Sequence, residues 1–259
     1  MKSSFAFAVA IAVFALGSAV FGAQGSSSLY SDPTGDIDAG ISTGNGTLDI
    51  TGMEVTNTAT DINFKLTVNG NVSTTDWGKF MIGIATAKTN GTVAGNGWGR
   101  PINMAVTPTG AITPIGMNYW IGSWVDGGGG GGSQLWSYDG VAWTGPGAIS
   151  SFSFTPGATS DINYSVPLAS LGLVPGDSLS FDAYSSGGGA TDTAIDSLAN
   201  PNVSVTSWGE TYTSQPLAFS GPGLNSFTTA VPEPSTMAAV GIAGAAVAGR
   251  LMRRRSRDA

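Results

Sequence analysis

Three carboxylates fall within seven residues at Asp32, Asp36 and Asp38, with Pro33 and Gly35 between them to force a tight turn. Hard anionic oxygens gathered by a turn are the donors that Ca2+ takes, so Asp32, Asp36 and Asp38 form a candidate calcium site, completed by a distant acid such as Asp196. The same residues can instead make an Asx turn, in which carboxylates accept from nearby backbone N–H groups. The spacing is not that of an EF-hand, because its closing Glu is missing. No cofactor follows with necessity, and Ca2+ is the ion expected if one is bound. A second set is aromatic: five of the seven Trp, at 98, 120, 124, 136 and 143, crowd the middle third. Trp120 and Trp124 share one side of a strand, roughly 13 Å apart, a spacing that serves sugar units stacked on indole faces. The competing reading makes these rings core, since a domain of this size needs large buried residues.

What the chain lacks narrows its chemistry further. It has no His and no Cys, which removes Ser-His-Asp and Cys-His nucleophiles, His-based zinc sites and disulfides. Gly40-Ile41-Ser42-Thr43-Gly44 fits the G-x-S-x-G elbow in letters alone, with no His to take the serine proton. A glycosidase needs just two carboxylates, so an extracellular carbohydrate-active enzyme is the alternative reading. The body holds only two Glu, Glu54 and Glu210, and its Asp residues sit in turn contexts. No catalysis is therefore expected. Sequons at Asn45, Asn71, Asn90, Asn163 and Asn202 carry little weight in a chain so rich in Ser and Thr.

The elements that carry these residues lie between two terminal signals. At the start, Lys2, an apolar run from Phe5 to Leu16 and small residues from Gly17 to Ala23 read as a secretory signal peptide over 1–23. At the end stand Val231, Pro232, Glu233 and Pro234, an apolar run from Met237 to Gly249, and a cluster of Arg250, Arg253, Arg254, Arg255 and Arg257. The prolines delay any helix until after Pro234. A helix over 236–252, about 25 Å long, then spans a bilayer if Arg250 snorkels, with the basic tail on the cytoplasmic side. This tripartite end resembles the PEP-CTERM sorting signal of exported bacterial proteins. The resemblance implies an exosortase-type membrane enzyme as partner, cleavage near Val231 to Pro234, and delivery to the cell surface or an extracellular matrix.

The body between the signals carries Lys65, Lys79, Lys88 and Arg100 against 15 acids, a net charge of −11. Nucleic acid is an improbable partner for such a surface. Alternation at Ile62, Phe64, Leu66 and Val68, at Ile102, Met104 and Val106, at Ile162, Tyr164 and Val166, and at Leu179, Phe181 and Ala183 predicts half-buried strands. Phe80 to Ile84 is nearly continuously apolar and predicts a central strand. Asp139-Gly140 predicts a hairpin between Leu135–Tyr138 and Val141–Trp143. Leu168 to Leu173 predicts one helical turn. The expected fold is all-β: a single antiparallel two-sheet β-sandwich over 24–219, jelly-roll or DOMON-like, with a stalk over 220–230. Gly127 to Gly132 reads as a loop or hairpin tip.

Short motifs also resemble the DOMON-like or family 9 carbohydrate-binding-module sandwich: Asp32 to Asp36, Leu48-Asp49-Ile50, Leu171-Gly172-Leu173, Gly176-Asp177 and Trp208. That resemblance implies a sugar-, haem- or calcium-binding module, and the missing His argues against haem. The sequence as a whole points to an exported, surface-sorted, non-catalytic binding or structural module, with extracellular polysaccharide as its expected partner.

Overall fold

Strict alternation in a strand means one wet face and one dry face, and two strands show it without a break. The computed structural model describes residues 26–41, 43, 46–74, 77–87, 90–107, 111–125, 130–214 and 224–231. Among them run β1 (Ser27–Ser31), β2 (Ile50–Asn57), β3 (Asp61–Asn69), β4 (Lys79–Thr86), β5 (Ile102–Asn103), β6 (Tyr119–Trp124) and β7 (Gly132–Tyr138). They are followed by β8 (Trp143–Gly147), β9 (Ser151–Thr155), β10 (Thr159–Pro167), β11 (Ser178–Ser186), β12 (Ala194–Ser197), β13 (Tyr212–Thr213) and β14 (Asn225–Thr228). The described helical structure consists of two 3-10 turns, Val72–Thr74 and Leu168–Leu171.

The first sheet has the order β1-β2-β3-β10-β9 and is antiparallel throughout. In β3, Ile62, Phe64, Leu66 and Val68 point inward and are buried; in β10, Ile162, Tyr164 and Val166 do the same. The opposite face meets water and carries the Lys65–Glu54 ion pair at 3.2 Å. The second sheet has the order β12-β11-β4-β6-β7-β8, with β14 added on β11. The sheets pack face to face. Phe64 of the first meets Phe181 of the second edge-on at 5.9 Å, and Tyr164 Oη and Ser123 Oγ hydrogen-bond at 2.7 Å across the core.

The second sheet departs from simple alternation because both of its faces are covered. β4 and β11 are buried almost along their whole length. Long connections close over the outer face, bringing Trp98, Met104, Met117 and Tyr212 onto it. Glycines make the room: a Cβ on Gly83 would sit 2.6 Å from Met117 Sδ, and one on Gly122 would sit 2.3 Å from the Trp98 ring. Phe80 to Ile84 thus lies in a central strand, as its nearly continuous apolar run predicts.

Three expectations are corrected. The stretch 220–230 is not a stalk over its described part, because Asn225–Thr228 pairs with β11 and buries Phe227 at the sheet edge. Asn57 then holds Ala230, its Oδ1 accepting from Ala230 N at 2.9 Å. The strand over 102–106 shrinks to Ile102–Asn103, paired in parallel with β13, although Ile102, Met104 and Val106 are all buried. The hairpin forms, with Gly140 at φ 100°, but its loop runs from 139 to 142 because Asp139 Oδ1 accepts from both Val141 N and Ala142 N at 2.9 Å. The Leu168–Leu171 turn stands where predicted, closed by Gly172 at φ 63°.

Candidate metal centre

The acidic turn begins where β1 ends. Asp32 stays in line with β2 through its N–H, which donates to Thr51 O at 3.1 Å. Gly35, at φ 78°, reverses the chain and donates its N–H to Asp49 Oδ2 at 2.9 Å. That bond sets Asp36 beside Asp49. Asp49 is itself placed by a turn from Gly46, whose carbonyl accepts from Asp49 N at 2.9 Å, and its Oδ2 also accepts from Asn69 Nδ2 at 3.3 Å. The fourth acid, Asp196, comes from β12 at the edge of the other sheet. Its Oδ2 accepts from Ile50 N at 2.6 Å and its Oδ1 from Ser197 N at 2.7 Å, which locks its rotamer.

Asp32, Asp36 and Asp196 each offer an oxygen such that all three lie within 4.8 Å of one another. Asp32 is 8% exposed, Asp49 4% and Asp196 0%. Burial pushes the Asp32 carboxyl up to about 10, and the charges of Asp196, Asp36, Asp182 and Asp49 push the same way. Burial likewise raises Asp36 to about 6, and raises Asp196 well above the usual carboxylate range with Asp36 and Asp49 adding to it. Such a group of oxygens can hold a hard divalent cation or share protons among themselves. Asp38 stands apart: its Oδ1 accepts from Gly40 N at 2.8 Å, the Asx-turn role that sequence left open. Asp49 lies beside this group although spacing along the chain does not mark it. Its signal was a lone carboxylate between Leu48 and Ile50, where an apolar strand begins.

The aromatic expectation divides. Trp120 is fully buried, stacked on Tyr184 at 5.9 Å and edge-on to Trp98 at 6.5 Å, so it cannot meet a sugar from solvent. Trp124, on the same side of β6, is half-buried with Trp98 tilted over it at 6.4 Å. The two indoles do share a direction, but that face is roofed by Trp98, Met104 and Met117. A more open aromatic pair lies elsewhere. Trp77, 37% exposed, meets Trp208 edge-on at 6.1 Å, and with Gly187, Gly188 and Asp192 they line a cleft of about 280 Å3.

The sorting residues close the chain. Val231 is exposed, directly after the pinned Ala230. Pro232, Glu233 and Pro234, the basic tail, the membrane helix expected over 236–252 and the signal peptide over 1–23 lie outside the described residues. Among the described residues no helix is long and apolar enough to cross a membrane. Residues 230–255 match the family model of the PEP-CTERM protein-sorting motif. The chain carries a PEP-CTERM signal. A PEP-CTERM end marks an exported protein that passes through a membrane-anchored intermediate and is processed by an exosortase. No curated protein and no solved structure matches the chain, so the DOMON-like resemblance of the body rests on its short motifs alone.

Proposed function

We propose that this protein is a non-catalytic binding or structural module, released or attached at the cell surface or in an extracellular matrix after exosortase cleavage near Val231 to Pro234. The observation that carries the reading is the PEP-CTERM motif at 230–255, placed immediately after an all-β body. The acids of that body support a non-catalytic role. Glu54 is paired with Lys65, and Glu210 accepts from the Thr206 and Ser207 hydroxyls at 2.8 and 2.9 Å. The remaining close-packed acids converge on one buried point, whereas a glycosidase pair flanks a cleft with about 5 to 9.5 Å between its carboxyls.

For an extracellular polysaccharide partner, the cleft of Trp77, Trp208 and Asp192 supports contact better than Trp120 and Trp124, because it offers an indole and a carboxylate to solvent. Mass spectrometry of the mature protein tests the sorting. We expect a C-terminus near residues 231–234, and Glu233→Ala should leave an unprocessed, membrane-inserted form. A mature chain ending at Ala259 would overturn the proposal.

A further inference from the structure

We infer that Asp32, Asp36, Asp49 and Asp196 bind one Ca2+, which ties the β1–β2 corner of the first sheet to edge strand β12 of the second. The geometry suits the ion: two ligands on opposite sides of Ca2+ with bonds of about 2.4 Å stand about 4.8 Å apart. Three carboxylate oxygens here lie within that distance of one another.

The second observation is independent of the clustering. Asp32 Oδ2, both Asp36 oxygens and Asp49 Oδ1 are shut off from water and have no hydrogen-bond partner. Asp32 and Asp49 are more than nine-tenths buried. Orphaned oxygens of this kind are rare and call for a missing partner.

Asp182 shows what a purely structural buried carboxylate looks like in the same protein. Its Oδ2 accepts from Ser197 Oγ at 2.7 Å and Ser214 Oγ at 2.8 Å, and its Oδ1 from Ala199 N at 2.9 Å. The cluster has no such supply of donors for its inner oxygens. The charged groups that act on Asp32 are all carboxylates. A divalent cation answers both the orphaned lone pairs and the repulsion.

The outer oxygens are already held as a metal site requires. Asp49 Oδ2 takes Gly35 N and Asn69 Nδ2, which leaves Oδ1 free for the ion. Asp196 is oriented by Ile50 N, 146 residues away in the chain. The ion would therefore reinforce a contact that already joins the two sheets. It would also hold the 32–36 turn, which has few bonds of its own.

The test is calorimetric titration of the full chain, purified in detergent and stripped with EGTA, against CaCl2 and against MgCl2, with thermal melting followed by Trp fluorescence. One Ca2+ per chain is expected, with a rise in melting temperature of about 5 to 10 °C at a free concentration a hundredfold above Kd. Asp36→Asn removes no protein hydrogen bond, so it should fold. We expect it to melt higher than wild type without metal and to bind Ca2+ at least about tenfold more weakly. Asp38→Asn should bind as wild type does. Absence of Ca2+ binding up to millimolar concentration by the folded wild type, binding of Mg2+ alone, or equal loss in Asp38→Asn and Asp36→Asn would each overturn the inference.

Discussion

Trp120 and Trp77 are chemically alike and structurally opposite, and their replacement should show it. Trp120 fills the outer layer of the second sheet against Tyr184 and Trp98, so Trp120→Ala is expected to cost about 3 to 5 kcal/mol. Circular dichroism should then show a melting temperature lowered by roughly 10 °C or more. Trp77→Ala removes a ring already more than a third exposed and should cost under about 1 kcal/mol. If the cleft is the sugar platform, that same variant loses roughly tenfold in a pull-down on insoluble polysaccharide. Asp182 makes a further residue-scale prediction. Burial raises its carboxyl to about 6 despite the donors around it. The folded value lies above the unfolded one, so the folded state holds the proton more tightly. Its stabilising contribution is complete below about pH 4 and is lost as pH rises through 6. Urea midpoints of wild type should therefore fall between pH 4 and 7 more steeply than those of Asp182→Asn.

Among the elements, β14 is the last described strand before the sorting motif in sequence. Phe227 enters the core from this edge strand, and Thr229 N and O bond Asp177 O and Gly176 N, both at 2.9 Å. Phe227→Ala should cost about 3 to 5 kcal/mol and loosen the edge. Limited proteolysis is then expected to cut near 224–230 before it cuts the rest of the body. At the roofed face of the second sheet, Gly122 has no space for a side chain, since a Cβ would stand 2.3 Å from the Trp98 ring. Gly122→Ala must displace that indole and with it the cover over Trp124. A loss of about 1 to 3 kcal/mol in chemical denaturation is expected.

At the scale of the body, two sheets share one core while Asp32, Asp36, Asp49 and Asp196 collect at one edge between them. A body of net charge −11 is repelled by polyanions and must manage its own close carboxylates. The close acids bridge the sheets, with Asp196 reaching Ile50 N, and Ser185 Oγ donating to Leu48 O beside it. The same edge receives the C-terminal strand through Tyr30 Oη to Ser226 O at 2.5 Å and Ser26 Oγ to Thr228 O at 2.9 Å. The beginning and the end of the described body therefore close one seam.

The sequence by itself determined the C-terminal sorting signal, because such a signal is read locally, as residues in order. It also determined β3 and β10, because a strand with one wet face writes its burial directly into alternation. The second sheet was less legible: with both faces covered, β4, β6 and β11 carry apolar residues at successive positions, and Trp120 and Trp124 look the same whether roofed or open. Only the tertiary structure decided which indole was core, since the roof comes from a connection more than 20 residues upstream of Trp120 in the case of Trp98. It also decided the membership of the acidic cluster. Asp38 lies near Asp36 in sequence but turns to its own backbone, while Asp49 and Asp196 arrive through turn geometry and sheet packing. Proximity along the chain limits which oxygens can meet. The packing of two sheets selects the ones that do.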